Sequence, residues 1–138
     1  DLKWSSARGK LRALETGTAL QLAAYAFLER QESGPFPPVG YFVMDAQRLL
    51  TTQPDAFSHA EPVDGPLPEE TWRLVETTHA LEWVEVTAGR LGARGVSTGN
   101  DEDVIEESVV ENGRLRLTPG CRYCDYGVLC GRILQEGA

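Results

Sequence analysis

The chain has 138 residues, 41% hydrophobic and 25% charged, the proportions of about one ordinary globular domain with a core of its own. A formal net charge of −8 argues against a protein that coats DNA through a uniformly basic surface. No apolar run approaches the roughly 20 residues that a membrane helix needs, and no signal-peptide pattern is present.

The charge is unevenly spread. Residues 1–30 carry five Lys/Arg against three Asp/Glu, a balance of +2, and residues 31–138 carry 8 against 18, a balance of −10. The three cysteines fall within ten residues of one another, and an odd number cannot close a set of disulfides. Such clustering suits metal ligation in a reducing compartment, and cytosol is the expected home.

In chain order, Leu2 to Trp4 reads as the end of a strand, and a polar, basic segment follows (Ser5, Ser6, Arg8, Lys10, Arg12). The Ala- and Leu-rich stretch from about Thr18 to Arg30 predicts a helix, largely buried, with Thr16 or Thr18 as its N-cap. Gly34 through Pro38 breaks the chain, and Val39 to Met44 reads as a short buried strand. Residues 51–68, with four prolines, read as a surface loop. Glu69 and Glu70 open a second helix to about Thr87, where their charges suit the helix dipole. Its apolar stripe is Trp72, Val75, His79, Trp83 and Val86. Gly89 to Gly99 reads as a flexible link and Asp101 to Glu107 as a solvated acidic run. Val109 to Leu117 forms a candidate hairpin on Asn112-Gly113, a pair that favours the type I′ turn. This order of elements predicts an α/β fold.

Three stretches carry possible chemistry. On a strand, Asp1 and Lys3 project to one face, where the carboxylate could hold Mg²⁺ or Mn²⁺ and the ammonium could activate water and offset transition-state charge. The plain reading of so short a pattern is a surface ion pair. Gln21 and Tyr25 share a helix face amid apolar residues, which suggests a face turned toward a site. Their plain reading is a capping box, Thr18-x-x-Gln21, beside a core aromatic. Cys121, Cys124 and Cys130, introduced by Pro119-Gly120, could converge on one centre. Buried structural cysteines, zinc with a fourth non-cysteine ligand, and an iron–sulfur site are the readings open to them. His59 and His79 lie far away in sequence, and His79 fits the helix stripe better than a metal site.

Together, Asp1-Leu2-Lys3-Trp4-Ser5-Ser6, the basic segment and Gln21-Leu22-Ala23-Ala24-Tyr25 resemble the PD-(D/E)XK nuclease superfamily, in its RecB/AddB branch. That family has a strand ending in (D/E)-x-K and then a helix bearing Q-x-x-x-Y. The resemblance implies a restriction-endonuclease-like core, a mixed sheet flanked by helices, of which residues 1–138 would be the C-terminal portion. It assigns Asp1 to the metal and Lys3 to catalysis, with Gln21 and Tyr25 orienting the site. The C-x₂-C-x₅-C spacing within 119–131 is similar to the iron–sulfur segment of AddB-type and CRISPR-associated nucleases, which implies a 4Fe–4S cluster on Cys121, Cys124 and Cys130.

The implied activity is Mg²⁺-dependent exonuclease cleavage of DNA in repair, on single-stranded ends supplied by a fused or associated helicase, with no membrane partner. The family's further acidic ligand and its fourth cysteine would precede Asp1. The expectation is therefore that this piece alone neither cleaves DNA nor holds an intact cluster. A non-catalytic DNA-binding scaffold and a small zinc-binding interaction module are the competing readings.

Overall fold

A computed structural model of the chain describes residues 1–4, 7–30, 34–90 and 108–117. The elements are β1 (Leu2–Lys3), α1 (Ala7–Glu15), α2 (Leu20–Glu29), β2 (Tyr41–Val43), β3 (Arg48–Thr51), β4 (Glu61–Pro62), α3 (Pro68–Thr87), β5 (Val109–Glu111) and β6 (Arg114–Arg116). The first four strands make one mixed sheet in the order β1-β2-β3-β4, with β1 parallel to β2, β2 antiparallel to β3, and β3 parallel to β4. The expected α/β class holds in this coarse sense. The parallel step from β1 to β2 is spanned by α1 and α2, as a parallel pair requires a long crossover.

Helix α1 corrects the reading of residues 7–12 as merely a polar segment; Ser5 and Ser6 lie outside the described residues. Its apolar residues are few but helically spaced: Leu14 is buried, and Ala7, Leu11 and Ala13 pack against the core. Gly17 stops it at a φ of 69°, with Gly17 N–H donating to Leu14 and Thr18 N–H to Ala13, a Schellman ending. A side chain at Gly17 would also meet Pro66 at 2.8 Å. The N-cap of α2 is Ala19, with no side-chain cap, rather than either threonine. Thr16 and Thr18 instead share a hydroxyl contact of 3.0 Å, and Thr16 donates to the Arg12 carbonyl. Only one stripe of α2 is buried (Leu22, Ala23, Ala26), while Leu28 is 74% exposed.

The core joins α1 and α2 to one face of the sheet through Leu14, Ala19, Leu22, Tyr41, Val43, Leu50 and Val63. Strand alternation divides the expected buried strand at 39–44: Tyr41 and Val43 are buried, and Phe42 and Met44 face outward. The 51–68 stretch is more ordered than a loop. Thr51 ends β3, where its buried hydroxyl donates to the Val39 carbonyl, and Glu61–Pro62 adds a short parallel strand.

Helix α3 runs as expected over 20 residues, about 30 Å at the usual rise. Pro68 opens it, and the Glu70 carboxylate accepts from the Leu67 N–H. Near its N-terminal end Trp72 of that stripe stacks on Phe27 of α2 at 4.2 Å. Further along, Trp83 and Val86 are exposed, and His79 lies exposed against the Trp83 ring. The hairpin forms as expected, with Asn112 and Gly113 both at positive φ, 51° and 70°. It rests on α3 through the Leu115 N–H, which donates to the Thr78 hydroxyl. Gly89 and Arg90 apart, the link and the acidic run lie outside the described residues.

Candidate functional site

The parallel pairing of β1 with β2 sets Leu2 beside Phe42 and Lys3 beside Val43. Continued by one residue, that register sets Asp1 beside Tyr41. Neighbours in register share a face, so Asp1 and Lys3 project toward the helices while Leu2 and Trp4 turn to the other side. Exposure follows this division. Leu2 and Trp4 are 69% and 77% exposed, whereas the side chains of Asp1 and Lys3 are only 12% and 21% exposed. The main chain of Asp1 is open, but its carboxylate is largely covered.

Helix α2 crosses this face and brings its polar pair to the strand. The Lys3 ammonium lies 3.0 Å from Asp1 Oδ2 and donates to Gln21 Oε1 at 2.6 Å. Gln21 Nε2 in turn donates to the Tyr25 hydroxyl at 2.7 Å. Because an ammonium can only donate, it fixes which end of the amide faces it, and the amide nitrogen is left for Tyr25. All four residues singled out in the first 25 positions thus form one hydrogen-bonded row, Asp1–Lys3–Gln21–Tyr25. The capping-box alternative for Gln21 does not occur, since its side chain is committed to Lys3 and Tyr25.

Tyr25 is 43% exposed, and its own proton remains available to a ligand. Asp1, Tyr25 and Glu29 border an open cleft of about 510 Å³ whose apolar wall includes Phe42, Leu49 and Phe57. Beneath the row, burial pushes the Tyr41 hydroxyl up to about 12, with Tyr25 adding to the rise.

Sequence reasoning missed Lys10 as a member of this corner. It projects from α1 so that Nζ sits 5.2 Å over the Tyr41 ring. Burial, then the like charge of Lys3, hold its ammonium below the ordinary lysine range. The signal was present in the spacing, since Ala7, Lys10, Leu11 and Leu14 lie on one side of a helix.

As a metal site the corner is partial. No group of three or more His, Cys, Asp or Glu side chains that could hold an ion occurs among the described residues. Asp1 can supply one oxygen ligand, a minimal share even for Mg²⁺, which keeps several waters and takes further oxygens from bound phosphates. Cys121, Cys124 and Cys130 lie outside the described residues. No described helix is long and apolar enough to cross a membrane. Comparison with family models, with curated proteins and with solved structures yields no match.

Proposed function

We propose that this chain is the C-terminal portion of a metal-dependent DNA nuclease domain with a restriction-endonuclease-like core. In this reading the parent protein is a cytoplasmic exonuclease acting on single-stranded ends delivered by a fused or associated helicase. Cys121, Cys124 and Cys130 would supply thiolates to its 4Fe–4S cluster. The observation that carries the reading is the Lys3 ammonium held at once by Asp1 and Gln21, with Tyr25 closing the row. An incidental surface pair on a strand gives no reason for two helix residues 18 and 22 positions away to complete its hydrogen bonding.

A bound Mg²⁺ or Mn²⁺ would polarise a phosphoryl oxygen and make its water more acidic. Asp1 offers that ion one carboxylate oxygen. Lys3 has three donors, two of them directed at Asp1 and Gln21, so the third can reach a phosphate oxygen and offset the charge that grows there. Gln21 restrains the ammonium, which otherwise swings on a flexible four-carbon stem. Tyr25 can donate its hydroxyl proton to a neighbouring phosphate. One carboxylate is a poor cage, so the 138-residue chain is expected to bind single-stranded DNA without cutting it.

In the parent protein, Lys3→Met should lower Mg²⁺-dependent release of nucleotides from single-stranded ends by about 10²-fold or more. The melting temperature should stay within a few degrees of wild type. Wild-type cleavage by Lys3→Met would refute the assignment. That no group of three or more metal-binding side chains occurs among the described residues favours one second reading, a non-catalytic DNA-binding module of the same fold. That reading predicts DNA binding by the parent with no metal-dependent cleavage.

A further inference from the structure

Helix α1 presents its charges unequally. Arg8, Arg12 and Glu15 are exposed on the side away from the core, while Lys10 lies at the edge of the inward stripe formed by Ala7, Leu11 and Leu14. Its ammonium rests over the Tyr41 ring, and register places that ring beside Asp1 on the face that also carries Lys3. Among the described residues no carboxylate pairs with Lys10. Lys3, by contrast, already has Asp1.

We infer that Lys10 is a second cationic residue of this corner and binds a phosphate of single-stranded DNA adjacent to the one Lys3 faces. The inference rests on the nuclease reading above and specifies how that site holds its substrate's backbone. A methionine or leucine would pack on Tyr41 without the desolvation that an ammonium suffers. Placing that ammonium near a like charge, with no anion of its own, suits an anion that arrives with the ligand. Its depressed pKa agrees, burial being the larger cause and Lys3 the smaller. Lys3 from β1 and the Tyr41 ring from β2 face it, and the Asp1 carboxylate just ahead of β1 is held by Lys3.

The test is fluorescence anisotropy of the full chain with a 5′-labelled single-stranded oligonucleotide, in Ca²⁺ and over a range of salt. Lys10→Gln should weaken binding about tenfold, the scale of one charge-assisted hydrogen bond. It should also make the slope of log K against log salt shallower by about 0.7, one phosphate contact on a single strand. Lys10→Arg should retain most of the affinity, and Arg8→Gln, on the opposite side of α1, should change it far less. Thermal melting should find Lys10→Gln folded, at or above the wild-type midpoint. A folded Lys10→Gln with wild-type affinity and salt slope overturns the inference, as does an equal loss in Arg8→Gln. If Lys3→Gln weakens binding while Lys10→Gln does not, the nuclease reading stands and this inference alone falls. Failure of the wild type to bind the oligonucleotide overturns both.

Discussion

The two ends of the described structure handle charge differently. From residue 34 onward, four of the five described arginines sit against a nearby glutamate: Arg48 with Glu61, Arg73 with Glu69, Arg90 with Glu85, Arg116 with Glu111. Three of these pairs are surface pairs within five residues, and such pairs contribute little to stability. At the β1–α1–α2 corner the cations are treated otherwise. Lys3 is tied to a largely covered carboxylate and to an amide 18 residues away, and Lys10 lies on a tyrosine ring with no described carboxylate. Four of the body's described arginines are thus paired in place, while the corner keeps one cation, Lys10, without a described carboxylate in an otherwise acidic chain. That contrast is what a site awaiting an anion requires, and net charge alone conceals it.

Two substitutions should sharpen this division between scaffold and corner. Leu50 is completely buried in β3, so Leu50→Ala should cost about 2–5 kcal/mol in chemical unfolding. Gln21→Ala, on the exposed edge of α2, should cost less than about 1 kcal/mol yet weaken single-stranded DNA binding, because the Lys3 ammonium loses its restraint. A Gln21→Ala chain as destabilised as Leu50→Ala would mean that the row is structural.

A smaller effect concerns the tyrosine beneath the row. The folded pKa of Tyr41 lies near 12, above its ordinary value of 10, because burial disfavours the phenolate. The raised value means that its contribution to stability is complete below about pH 10 and is lost as pH rises toward 12. Alkaline unfolding followed by tyrosinate absorbance should show this loss, and Tyr41→Phe should flatten the profile in that window. An unchanged profile in Tyr41→Phe would show that Tyr41 is not the group responsible.

Much of the site was legible because its residues are near in sequence and their periodicities are simple. A strand places Asp1 and Lys3 together, and a helix places Gln21 and Tyr25 together. That the strand and helix meet is a tertiary fact, which only the family resemblance suggested. The hairpin and α3 were legible from Asn112-Gly113 and from the acidic Glu69-Glu70 opening. Helix α1 was not, because three of its nine residues are Lys or Arg and one is Gly, so its short inward stripe was masked by composition. Its Gly17 stop was the overlooked signal. The strand β4 was hidden for another reason. Prolines at 54, 62, 66 and 68 suggest a loop, yet Pro62 fits at the end of a two-residue strand that pairs only briefly with Thr51.

The central claim, that the Asp1–Lys3 corner is a cation and phosphate site, is tested most directly by titrating Mn²⁺ into the ¹⁵N-labelled chain and following paramagnetic broadening of its amide signals. Broadening should centre on Leu2 to Trp4 and Gly40 to Phe42, grow stronger when a single-stranded oligonucleotide adds phosphate oxygens, and vanish in Asp1→Asn. Broadening centred on the Glu69–Glu70 end of α3, or unchanged at the corner in Asp1→Asn, would contradict the account.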